Sequence, residues 1–128
     1  MDITTALDRL NGDKVLVKMD IEGSEYRVID QLAAHAARIV GICIEFHDTE
    51  PFRIVFDRTV DTLLQDFALV HLHANNYGPV ADDGLPDVLE ATFAHRSLVP
   101  DTAARRDIYL GGLDQPNDPA RPEMVITA

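Results

Sequence analysis

The chain is poor in several things that commonly carry function. It has one cysteine, no tryptophan and only 11 basic residues against 22 acidic ones in its 128 residues. A single cysteine, Cys43, cannot close an internal disulfide. It sits in the apolar run IVGICIEF, where a small buried core residue is expected rather than a nucleophile. The net charge of -11 repels nucleic-acid backbones and anionic membrane surfaces, so neither is expected as a partner. The bland reading of that charge is solubility. No apolar run approaches the ~20 residues of a membrane span. The opening MDITTALDRL lacks the basic start and apolar stretch of a secretory signal, so a cytoplasmic setting is expected. A glycine-rich phosphate loop, a nucleophile elbow, a CxxC pair and an HExxH helix are also missing, and Gly111-Gly112 lies in a proline-rich tail.

What is present reads as one α/β domain of ordinary composition. Ile3, Leu7 and Leu10 fall at helical spacing behind threonines that could cap a short helix. KVLVKMD reads as a strand, apolar on both faces at Val15, Leu16, Val17 and Met19, as suits a parallel strand covered by helices. From Ser24 the period changes. Tyr26, Ile29, Leu32, Ala33 and Ala36 define an amphipathic helix, with Ser24 as a plausible cap and Glu25 in its positive first turn. RIVGICIEF is a second strand, which completes a right-handed βαβ unit. Phe56, Val60, Leu63, Leu64 and Phe67 give the clearest helix. ALVHLHA is a third strand, NNYGPVADDGLP is turn-rich, and DVLEATFAH is a fourth strand expected to run antiparallel to the third. The domain is expected to span residues 1–98, with 99–128 as an extended tail over its surface.

Polar groups gather where the strands end, and ligands of open α/β sheets bind beyond the carboxyl ends of parallel strands. The first strand ends in Asp20 and Glu22, the second in Glu45, His47 and Asp48, the third in His71, His73, Asn75 and Asn76. Neighbouring strands lie ~4.8 Å apart, so acids at equal depth could share a divalent cation or a substrate hydroxyl. Each has a plainer reading too. Asp20 could cap the next helix, His71 and His73 could be a hydrogen-bonded strand face, and Asn75-Asn76 could be a turn. Glu45 lies between Ile44 and Phe46, where a partly buried carboxylate needs a partner. Oxygen ligands would favour Mg²⁺, Mn²⁺ or Ca²⁺.

The stretch VKMDIEGSEYRVI resembles the motif of the FkbM family of S-adenosylmethionine-dependent methyltransferases, at Lys18, Met19, Asp20, Ile21, Glu22, Gly23, Ser24 and Glu25. ICIEFH, LVHLHANNYG, VLEATF and LDQPNDPARPE support the likeness. The resemblance implies a partial Rossmann-like methyltransferase sheet of three-layer αβα type, with strands equivalent to 4-5-7-6 of the order 3-2-1-4-5-7-6. It implies methyl transfer to a hydroxyl of a sugar or natural product. Asp20, Glu45, His47 and His73 would be the catalytic set, Asp20 and Glu22 would face the cofactor, and Asp20, Glu45 and His47 would hold a cation such as Mg²⁺. The family's first three strands, with the glycine-rich cofactor loop, are not among these residues. S-adenosylmethionine is therefore expected to bind weakly or not at all, and a non-catalytic binding or assembly module is the alternative. Without strand one beside it, the motif strand becomes an open apolar edge. A homodimer with residues 15–19 at or near its interface is expected.

Overall fold

A computed structural model describes residues 2–102, 108–109 and 111–127. In chain order the elements are α1 (Ile3–Asp8), β1 (Val15–Met19), α2 (Ile29–Ala34), β2 (Ile39–Phe46), α3 (Arg53–Asp66), β3 (Phe67–Ala74), β4 (Leu89–His95), β5 (Ile108–Tyr109) and β6 (Ile126–Thr127). The first four strands form one mixed sheet in the order β1-β2-β4-β3. β1 and β2 are parallel, and β4 runs antiparallel to both β2 and β3. β5 and β6 pair with each other, antiparallel.

Side-chain alternation along these strands divides the sheet into two unlike faces. Val17, Met19, Ile42, Ile44, Phe93, Ala91 and Leu89 are in register on one face and supply its core. Leu32 and Leu63 are fully buried against that face, and Ile29, Phe67 and Phe93 nearly so. Truncating one such leucine to alanine costs about 2–5 kcal/mol. The other face carries Leu16, Lys18, Cys43, Glu45, Glu90, Thr92, His71 and His73 in register across the four strands.

Among the described residues the helices lie together, α1 against α2 and α2 against α3. The expected third layer is therefore not found. The reason is topological. β1 to β2 and β2 to β3 step across the sheet in the same direction, and right-handed crossovers that step the same way place both helices on the same face. The opposite face is covered only in part, by residues 111–127. Asp114 accepts from His71, Asn117 donates to Glu90, and Glu123 meets His73. β1 consequently departs from the two-sided burial its apolar run suggests, because Leu16 is 67% exposed. Cys43 is likewise half-buried on the open face instead of in the core.

Two local details differ from the sequence pattern. The cap of α1 is Asp2, whose carboxylate accepts from Thr5 N at 3.3 Å and Thr5 Oγ1 at 2.6 Å. The helix expected from Ser24 to Ala36 is broken into a 3-10 turn at Glu25–Arg27, α2, and a second 3-10 turn at Ala36–Arg38. Ser24 makes no side-chain capping bond. The Glu25 carboxylate takes that place by bending back to Ile21 N and Gly23 N. Among the described residues no helix is long and apolar enough to cross a membrane.

Candidate functional site

β1 delivers its last buried side chain, Met19, and the chain turns at once. Ser24 N donates to Ile21 O, closing a four-residue turn whose central residues both have positive φ, Glu22 at 52° and Gly23 at 88°. Glycine adopts that conformation without strain, and Glu22 accepts a cost of about 1–2 kcal/mol for it. The turn points Glu25 back beneath the strand end. Its side chain is fully buried, and its Oε1 accepts from Ile21 N at 3.1 Å and Gly23 N at 3.3 Å.

The same oxygen meets His47 Nδ1 at 2.9 Å. An oxygen already accepting two backbone N–H bonds is a carboxylate acceptor, so Nδ1 donates to it, and in the neutral ring Nε2 is left with the lone pair. Tyr26 Oη donates to the His47 carbonyl at 2.7 Å and fixes the backbone of the same residue. His47 lies just past the end of β2, and Asp48 after it turns the chain with φ 54°.

His47 Nε2 faces three carboxylates: Glu22 at 3.6 Å, Asp20 at 3.8 Å and Glu45 at 3.8 Å. Ligating atoms of Asp20, Glu45 and His47 all lie within 4.8 Å of one another. Glu45 is held in place by Asn75, whose Nδ2 donates to Glu45 Oε1 at 2.8 Å. Burial alone would lower the pKa of His47. The hydrogen bond to Glu25 and the charges of Glu25, Glu45 and Glu22 outweigh it, and the pKa is raised. Among the described residues Glu25 Oε2 is buried and has no hydrogen-bond partner.

A cavity of about 270 Å³ opens beside this cluster on the uncovered face, lined by Lys18, Asp20, Glu45, His71, Glu90 and Thr92 among others. Glu45 and Glu90 sit directly opposite one another on β2 and β4. Like charges so placed repel, and each is relieved by a donor, Asn75 for Glu45 and Asn117 for Glu90.

Asp20, Glu45 and His47, expected together, are together. His73 is not with them. It is 4% exposed, with Nδ1 at 3.0 Å from Glu90 and Nε2 at 3.2 Å from Glu123. β4 stands between β3 and β2, so His73 serves the attachment of the tail. Glu22 reaches the cluster from solvent, with its side chain 85% exposed. Glu25, Tyr26 and Asn75 were not foreseen in these roles. A hint for Glu25 lies in its place two residues after Gly23, where a left-handed turn brings a side chain back onto the preceding amides.

The donor set suits a divalent cation, with two carboxylates and one imidazole nitrogen converging and other positions left to water or substrate oxygen. A metal-binding histidine typically donates its second ring N–H to a carboxylate, which is the relation of His47 to Glu25. S-adenosylmethionine fits these residues poorly. The 128 residues hold no glycine-rich strand-to-helix loop, and Glu22, one of the two residues expected to face the cofactor, points largely into water. The fold and site thus define a mixed α/β domain with an acid–histidine cluster at the carboxyl ends of two parallel strands. No family model, no curated protein and no solved structure matches the chain.

Proposed function

We propose that the chain is the acceptor-holding part of an O-methyltransferase of the FkbM kind, in which Asp20, Glu45 and His47 hold a divalent cation and orient a hydroxyl of a sugar or natural product. The observation that carries the reading is the convergence of these three side chains at neighbouring strand ends, with His47 backed by buried Glu25. The strand order β1-β2-β4-β3 supports it, being the order 4-5-7-6 of such a sheet.

A divalent cation at this position would supply Lewis acidity to the acceptor oxygen. The chain's own residues supply the positioning, which accounts for a large share of such rate enhancements. Glu25 fixes the imidazole tautomer, Asn75 fixes the Glu45 carboxylate, and Tyr26 fixes the backbone of His47. Lys18, Thr92 and Glu90 line the cavity where the acceptor's other hydroxyls would bind. With no ion bound, His47 Nε2 is the group that would accept the hydroxyl proton. His73 is unsuited to that task because both its nitrogens are engaged.

Titration with Mn²⁺, followed by the loss of its free electron paramagnetic resonance signal, tests the reading. One saturable site per chain is expected, weakened about tenfold or more by Asp20→Asn or Glu45→Gln. Calorimetry with S-adenosylmethionine alone should give no saturable heat at micromolar ligand. Absence of a saturable Mn²⁺ site, or indifference to both substitutions, would defeat the cation-binding role. The second reading, a non-catalytic binding module, is favoured by the lack of a glycine-rich loop in the 128 residues. It would be preferred if Mn²⁺ bound and sugar hydroxyls left the site's affinity and spectrum unchanged.

A further inference from the structure

We propose that β1 is a self-complementary edge, and that two copies of this chain join through it into one continuous eight-stranded sheet about a two-fold axis at Val17. β1 stands at the end of the strand order, with a partner on one side only among the described residues. An edge of this kind offers a row of backbone donors and acceptors to another strand. Lys14, Leu16, Lys18 and Asp20 are all exposed, and Val15 and Val17 are half-buried.

The register follows from symmetry and charge. A two-fold axis perpendicular to the sheet places both helix layers on the same side. Residues that face each other must then point to the same face, so the sum of their numbers is even. Three such registers overlap most of the strand. Centring on Lys18 sets that lysine against the partner's Lys18. Centring on Leu16 sets Lys14 against the partner's Lys18. Both oppose like charges.

Centring on Val17 does the reverse. Val17 meets the partner's Val17, and Val15 meets the partner's Met19, which extends the apolar layer beneath the helices. On the open face Leu16 lies against the aliphatic stem of the partner's Lys18, an arrangement that covers an otherwise 67% exposed leucine. Lys14 pairs with the partner's Asp20 at each end. The strand thus carries a charge pattern that complements itself in one register. Asp20 then has its own His47 on one side and the partner's Lys14 on the other, so each copy contributes a charge at the rim of the other's acid–histidine cluster. The inference stands on strand geometry and charge and concerns this chain by itself, because a sheet completed in the order 3-2-1-4-5-7-6 would set strand one at the same edge of β1.

Sedimentation velocity or light scattering on the full chain tests it, with two substitutions at Leu16 chosen for opposite signs. The wild-type chain, 14.2 kDa as a monomer, should reach the dimer mass at about 100 μM. Leu16→Lys puts like charges across the axis and should weaken the dimer about tenfold or more, while Leu16→Glu, facing the partner's Lys18, should preserve or strengthen it. Leu16 is largely solvent-exposed, and circular dichroism with thermal melts checks that the fold is intact. Lys14→Glu should weaken association as well. A monomer at that concentration would overturn the proposal and leave the edge to a different chain segment or partner. Equal loss of the dimer with Leu16→Lys and Leu16→Glu would overturn the register and indicate simple apolar contact.

Discussion

Glu25 and His47 are joined by a 2.9 Å hydrogen bond between a fully buried carboxylate and a ring nitrogen, across 22 residues of sequence. The bond links the turn after β1 to the end of β2, so the orientation of the candidate site depends on a residue that does not line it. Glu25→Gln keeps the shape of the side chain but removes the charge that holds Nδ1 protonated. It should weaken divalent-cation binding about 10–100-fold with the fold retained. Glu25→Ala also strands two backbone N–H groups and should lower stability by about 2–4 kcal/mol. Urea titration of both variants, with cation titration of the first, checks these outcomes.

Gly23 has φ 88°, and a Cβ built there would lie 3.3 Å from Asp48 Oδ2. Gly23→Ala should therefore destabilise the chain by about 1–2 kcal/mol through backbone strain alone. Because the shift of Asp48 falls next to His47, it should also broaden or move the His47 ring resonances. A thermal melt and a proton spectrum read both effects.

The tail is fastened by His73, which lies between Glu90 and Glu123. Burial would lower the pKa of His73, but the hydrogen bond to Glu90 and the charges of Glu90 and Glu123 prevail, and the pKa is raised. Asp114 and His71 lie on the same face, and Asn117 donates to Glu90. A group with a raised folded-state pKa adds stability that is complete below its unfolded value, ~6.5 for histidine, and fades as pH rises through the folded value. Amide exchange in residues 111–127 should accelerate as pH rises above that range, beyond the intrinsic pH dependence of exchange. His73→Gln should remove the extra acceleration.

Much of the fold was legible because it rests on periodicity. Apolar runs marked β1, β2 and β3, and the helical spacing from Phe56 to Leu64 marked α3, whereas Phe67, read as its last apolar position, opens β3. Asp20, Glu45 and His47 were legible as a group because parallel strands bring equivalent ends together. What escaped reading depended on tertiary partners. The single helix expected from Ser24 to Ala36 was lost because Glu25 bonds backward to Ile21 and Gly23 instead of leaving Ser24 to cap. Asn75 looked like a turn residue, and it is one, since its Oδ1 accepts from Tyr77 N at 3.0 Å. Its Nδ2 also donates to Glu45, across the insertion of β4 between β2 and β3. That same insertion separates His73 from the cluster, which no spacing within β3 reveals. The apolar run of β1 suggested cover on both faces, while the direction of the two crossovers left one face without helices.

The central claim is that Asp20, Glu45 and His47 form one cation site. Crystals grown with Mn²⁺ and measured at its absorption edge test it most directly. The account predicts one anomalous peak between the three side chains, about 2.0–2.3 Å from His47 Nε2 and from an oxygen of each carboxylate, with Glu25 still bonded to Nδ1. A map without a peak there, or with manganese only on exposed carboxylates elsewhere, would contradict it.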